Sequence, residues 1–257
     1  MGFSAAGAGT EVPVLRFDEI DSTNAEARRR AEAGETGPLW IAARRQTAGR
    51  GRRGRAWETG AGNLAATLLT VVDKTPAEAA EIAFVAALAV GELAVLHVPE
   101  ALVRLKWPND VLVDDRKVSG VLIESGRRDD GRLWLAVGVG INLATPPAAA
   151  ERPATSFKDH LRADLAAPLA PEAALTELSR AFARWLKVWG DFGFEPIRDA
   201  WQARADMGRP CVARLDHETV EGRAEALEAD GALRLRLADG SVRRITAGDV
   251  FFPGEPR

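Results

Sequence analysis

Apolar and polar residues alternate along PVLRFDEI (13–20) and again along LWIAARRQ (39–46), the period-two signature of half-buried strands. Between them, DSTNAEARRRAEAGE predicts a helix, with Thr23 and Glu26 as a capping box and Gly34 as its stop. NLAATLLTVVD (63–73) returns to a strand pattern. Thr75, Pro76 and Glu78 predict a second capped helix start, leading into the long apolar run IAFVAALAVGELAVLHV. Glu92 interrupts that run, which suits a buried helix better than a membrane span. VRLKWP, VLVDD, KVSGVLIES and LWLAVGVGINL then read as four short strands, with DDRK and RRDDGR as their turns. Beyond Pro146 and Pro147, SFKDHLRAD predicts a short helix, PEAALTELSRAFARWLKVWGDFG a long amphipathic one, and EPIRDAWQARAD another.

The last fifty residues change character. CVARLD, TVEGRAEALEADGALRLRLADGSVRRIT and GDVFF are short strands, with Asp230-Gly231 and Asp239-Gly240 suited to tight hairpin turns. The expected fold class is α+β: a mixed β-sheet domain with helices packed on one face, plus a small C-terminal β-barrel. The expected division is a flexible tail over 1–12, a main domain over 13–207 and the β module over 208–257.

Composition changes this picture little. At 257 residues with a net charge of −3, the chain has no global field to draw it to nucleic acid or to an anionic membrane. Its single cysteine, Cys211, excludes an internal disulfide framework and points to a reducing, cytoplasmic setting. The start MGFSAAGAGTEV lacks the basic and apolar parts of a signal peptide. His97, His160 and His217 are scattered singly, away from metal-ligand spacing, and no G-x-S-x-G elbow is present.

What stands out is local. AGRGRRGRAW (48–57) packs four arginines and three glycines into the stretch between two strands. Arginine greatly outnumbers lysine throughout, yet six arginines between Arg44 and Arg55 exceed that background. Such a cluster is costly to hold together unless an anion joins it, and the glycines let the loop close over one. A phosphorylated ligand, a solvated loop and a nucleic-acid-binding segment are the three readings, and the setting between two strands favours the first. KWPND (106–110) is turn chemistry that equally offers Asn109 and Asp110 to a ligand; RKVSG (116–120) places Lys117 on a strand, where it is held firmly. GVGIN (138–142) lacks the third glycine of a dinucleotide fingerprint; its glycines suit either close packing or a flat ligand.

Taken together, DSTN (21–24), QTAGRGRRGRAW (46–57), NL (63–64), KWPND, RKVSGVLIE (116–124) and GVGIN resemble the biotin protein ligase family in order and spacing. The C-terminal β module resembles the SH3-like domain of these enzymes. No winged-helix DNA-binding domain precedes residue 13, so the resemblance is to the monofunctional members. It implies an ATP-dependent ligase that makes biotinyl-5′-AMP, an acyl-adenylate, and transfers biotin to a lysine of the biotin carboxyl carrier protein of acetyl-CoA carboxylase.

The resemblance also implies roles. Ser22, Thr23, Asn24, Gln46, Arg50, Gly51, Arg52, Lys117 and Gly120 would bind biotin; Arg50, Arg53, Arg55, Trp57, Asn109, Asp110, Lys117 and Asn142 would bind ATP. Lys117 and Arg52 would be catalytic. Magnesium would come with the ATP phosphates, near Asp110, with no dedicated protein site. The implied partners are the carrier domain, biotin and ATP, with neither nucleic acid nor membrane; a homodimer through the catalytic-domain sheet is the implied assembly. After Asn142 the sequence runs directly into LATPP, where the resemblance leads one to expect a longer polar loop with a basic residue. A lipoate or octanoate ligase on the same fold is the nearest alternative, and it would lack the arginine-glycine loop.

Overall fold

The computed structural model describes residues 12–148 and 152–253. Most of the expected tail, 1–11, lies outside the described residues. Strands β1 (Val14–Ile20), β2 (Leu39–Gln46), β3 (Leu64–Val72), β4 (Val103–Lys106), β5 (Asp110–Val113), β6 (Arg116–Arg127) and β7 (Leu133–Ile141) form one sheet in the order β1-β2-β3-β7-β6-β5-β4. Helix α1 (Thr23–Glu32) makes the crossover that lets β1 and β2 run parallel; every other neighbouring pair in this sheet is antiparallel. The sheet is mixed, as its sequence pattern predicts.

Helices α2 (Pro76–Ala80), α3 (Ile82–His97), α4 (Pro171–Phe192) and α5 (Glu195–Gln202) follow the expected order. The Thr75–Glu78 capping box forms as expected, but the helix it opens stops at Ala80 and restarts at Ile82. α3 is buried nearly all round, between the sheet and α4. This explains its continuous apolar composition: a helix covered on every side has no polar stripe to show. Although Pro76–His97 has the length and composition of a membrane span, its apolar surface is taken up by the core. Trp40 from β2 meets Phe182 of α4 edge-to-face at 5.9 Å and donates its indole N–H to Ser179. α1 lies over the opposite face, packing Ala27 and Ala31 onto Ile41, Leu69 and Ala136, so helices cover both faces of the sheet and not the one face expected.

Two helix expectations need correction. The N-cap of α1 is Ser22, whose hydroxyl accepts from Ala25 N–H, while Glu26 reaches forward to Arg29 and Arg30. No capping box forms at Thr23, because its hydroxyl is engaged by Gln46. SFKDHLRAD yields only a 3-10 turn over Lys158–His160, since Asp159 folds back onto Ser156.

Strands β8 (Pro210–Arg214), β9 (Thr219–Leu227), β10 (Leu233–Arg236), β11 (Val242–Ile245) and β12 (Asp249–Phe251) make a second, antiparallel sheet in the order β11-β10-β9-β8-β12. Its SH3-like module packs against the first through shared core. Trp107 donates its indole N–H to Gly231 O at 2.9 Å, and a Cβ at Gly231 would come within 2.7 Å of the Phe84 ring.

Candidate active site

The site forms on the α1 face of the sheet, where β6 and β7 carry glycines in place of side chains. A Cβ at Gly138 would lie 2.2 Å from Asn24 Oδ1, and one at Gly140 2.2 Å from the Trp57 indole. Both glycines serve close approach: the strand floor admits the α1 terminus at one and a flat aromatic ring at the other. Gly120, directly across from Gly140 on β6, extends the ledge under Trp57 and Lys117.

The polar end is built at the start of α1. Ser22, Thr23 and Asn24 are all buried. Thr23 donates through both its backbone N–H (2.8 Å) and its hydroxyl (3.1 Å) to Gln46 Oε1, while Thr67 Oγ1 lies 2.7 Å from Asn24 Oδ1. Asn24 Nδ2 donates to Glu124 at 2.8 Å and to Leu122 O at 3.3 Å, which sets the orientation of its amide. A network this fully engaged is rigid, so it presents fixed donors and acceptors to whatever enters.

The cationic end comes from the arginine-glycine stretch, which is a small folded flap. Trp57 N–H donates to Gly49 O, Gly51 N–H to Arg55 O, and residues 50 and 56 pair as an isolated bridge. The turn Arg52–Gly54 closes it, with Arg53 at φ 56° and Gly54 at φ 73°. Arg52 donates to Asn109 Oδ1 at 3.2 Å and to Gly248 O at 3.3 Å. Burial pushes its guanidinium down from its ordinary value, against the pull of Asp249 and Asp110. Lys117 Nζ is 2.5 Å from Asp110 and 5.7 Å from the Trp57 ring centroid.

Of the residues singled out in the sequence, Ser22, Thr23, Asn24, Gln46, Arg50, Gly51, Arg52, Arg55, Trp57, Asn109, Asp110, Lys117, Gly120 and Asn142 line one cavity. Arg53 does not. Its left-handed backbone turns the side chain away to Asp216 (2.6 Å) and Asp249 (3.6 Å) of the SH3-like module. Asn142 lines the cavity, yet its amide nitrogen donates to Thr155 O at 3.1 Å, so it braces the returning chain. Sequence reasoning missed Arg152 and Asp249, both in the lining. The signal for Arg152 was available only as a lone basic residue after LATPP, ten positions past Asn142. Asp249 sits in a strand of the second sheet, with nothing in its neighbourhood to mark it.

Asp249 is buried among Arg52, Arg53, Arg55 and Arg152. Burial pushes its carboxyl up, but the hydrogen bond from Arg55 and the charges of Arg152, Arg55 and Arg52 outweigh it and leave the group below its ordinary value. The site can therefore hold a neutral polar ring at one end and a polyanion at the other, with an ammonium group between strands.

Comparison with known proteins accords with this geometry. Residues 15–142 match the biotin/lipoate A/B protein ligase family and residues 206–252 the biotin protein ligase C-terminal domain. A relative from Paracoccus denitrificans, a biotin–[acetyl-CoA-carboxylase] ligase, is 43% identical over 237 residues, covering 91% of this chain and 98% of its own. A ligase of the same name from Mycobacterium tuberculosis is 34% identical, covering 90% and 86%. Among solved structures, the biotin protein ligase from Aquifex aeolicus in complex with biotin and ATP superposes with a TM-score of 0.73 at 25% identity, covering 95% of this chain and 99% of that one. With one relative matched nearly end to end and both domains accounted for in order, the chain belongs to the biotin/lipoate A/B protein ligase family, among its biotin protein ligases.

Proposed function

We propose that this chain joins biotin to ATP as biotinyl-5′-AMP and then passes the biotinyl group to a lysine of the biotin carboxyl carrier protein of acetyl-CoA carboxylase. One observation supports this most: Lys117 and Arg52, far apart in sequence, reach neighbouring residues of one turn, Asp110 and Asn109, inside a cavity whose far end is the Ser22–Asn24 network.

The chemistry needs that arrangement. Biotin's carboxylate and the triphosphate repel, and bond formation between a carboxylate oxygen and the α-phosphorus must outrun that repulsion as pyrophosphate leaves. Thr23, Asn24 and Gln46 hold the ureido ring. This fixes the valerate tail along the glycine ledge, so that its carboxylate meets Lys117. The Lys117 ammonium pairs with that carboxylate and stays with the oxygen as it joins phosphorus. Arg52 and Arg55 face the phosphates, and the Trp57 indole walls the reacting atoms from water, which would hydrolyse the mixed anhydride. Arg50 and Gly51 close the flap on the carboxylate side. In the second step the carrier lysine attacks the acyl carbon and AMP departs, with Asn142 and the chain it braces around the adenosine.

Asp110 and the Asn109 amide oxygen are oxygen donors in the cavity, a set that fits magnesium arriving with phosphates rather than a closed metal cage. The ion would screen phosphate charge; the remaining steps belong to the side chains. We read the chain as two units meeting near Met207-Gly208 and working in the cytoplasm, consistent with its single unpaired cysteine.

The test is direct. Incubation with biotin, Mg-ATP and a carrier domain should add one biotinyl mass to the carrier, and lipoate in place of biotin should not. Lys117→Ala should lower biotin-dependent pyrophosphate release by roughly 10²–10³-fold while leaving the fold intact by circular dichroism. Wild-type turnover in that variant would remove Lys117 from the reaction.

A further inference from the structure

Arg152 has no role in the reaction as proposed above, yet its surroundings are those of a working residue. It opens the segment that returns across the site. Lys117 N–H donates to Pro153 O at 2.9 Å, Thr155 N–H to Lys117 O at 3.0 Å, and Phe157 N–H to Asn142 O at 3.0 Å. The chain just past Arg152 is thus stitched beside Lys117 through backbone bonds. Its side chain, 14% exposed, lies 3.2 Å from Asp249 and 3.8 Å from Asp110. The guanidinium carbon lies over the Phe251 ring of the SH3-like module, 4.3 Å from its centroid, and the residue lines the cavity. Its Nη2 is buried and makes no aligned hydrogen bond, although a carboxylate is near.

Charge says what the side chain is for. Arg52, Arg53, Arg55, Arg152 and Lys117 converge on Asp110, Asp216 and Asp249. Four of the five cations crowd Asp249 alone. A single carboxylate cannot satisfy four forks, but a chain of phosphates, with several oxygens and more than one charge, can. The monoanionic carboxylate of biotin could not.

We propose that Arg152 is a further catalytic residue of this site, contacting the phosphates of the nucleoside triphosphate, with Asp249 as a positioning residue that serves as its exchangeable counter-ion. The proposal rests on the ligase reading for the identity of the reaction, though not for the anion chemistry.

Two measurements test it separately from that reading. Isothermal titration with inorganic pyrophosphate and with biotin examines binding alone; biotin-dependent exchange of labelled pyrophosphate into ATP examines the reaction. Arg152→Met should weaken pyrophosphate binding and raise the KM for Mg-ATP by roughly tenfold to a hundredfold, the worth of a charge-assisted hydrogen bond, with biotin binding unchanged. Arg152→Lys, which keeps the charge and loses the fork, should recover part of that loss. Asp249→Asn should bind pyrophosphate more tightly than the wild type, since an internal competitor is removed. Wild-type pyrophosphate affinity in Arg152→Met, or an equal loss of biotin binding, would make Arg152 structural and overturn the proposal. Weaker pyrophosphate binding in Asp249→Asn would overturn the counter-ion role. If the wild type bound pyrophosphate but showed no biotin-dependent exchange, the ligase reading would fail while the Arg152 comparison still stood.

Discussion

Cys211 lies buried on β8, and burial pushes its thiol up to about 11 from an ordinary 9.0. The folded chain keeps a proton there that the unfolded chain gives up. Its contribution to stability is therefore complete below about pH 9 and is lost as pH rises towards 11. Urea midpoints measured from pH 8 to 11 should fall across that window, and less steeply in Cys211→Ala. Native protein should also resist a thiol-specific reagent at neutral pH and react fully once denatured. Single residues were the most legible scale of this sequence. Lys117, Arg52 and the Ser22–Asn24 triplet declare themselves through unusual local chemistry, and the structure brings them into one cavity. Arg53 was misplaced because nothing in RGRRGR distinguishes an inward arginine from one whose backbone has turned left-handed.

Period-two and capping patterns located the strands and most helix starts, since each rests on contacts within a few residues. What they could not foresee was competition from distant groups: Gln46 takes the Thr23 hydroxyl, and Glu81, between the helix that ends at Ala80 and the one that starts at Ile82, accepts from the Trp189 indole. The arginine-glycine stretch reads as loop from composition and is in fact a hairpin seated on β6 and β7. That seat makes a prediction for strand β7. Gly140→Ala would place a methyl group inside the Trp57 indole. It should cost about 1–3 kcal/mol by thermal or urea unfolding, and the cost should shrink in a Trp57→Ala background. Strictly additive losses in the double variant would argue that the ring does not rest on that strand.

Across the whole molecule, the flap is tied to the SH3-like module as well as to the sheet beneath it, through Gly248 O, Asp249 and Asp216. Asp216→Asn, which removes the Arg53 partner at 2.6 Å, should therefore speed trypsin cleavage at Arg50–Arg55 relative to cleavage elsewhere, and an unchanged digestion pattern would mean that the flap holds itself. None of this was legible beforehand. Residues 52 and 249 are far apart along the chain, and packing between the modules, Trp107 and Phe84 against Gly231 included, brings them to that distance. Asp110 carries the same lesson into heredity. One carboxylate answers both Lys117 and Arg152, and the backbone of Lys117 is paired to the chain just past Arg152. Substitutions at 110, 117 and 152 will consequently show strong epistasis, and a lineage that replaces one of the three will tend to replace the others too.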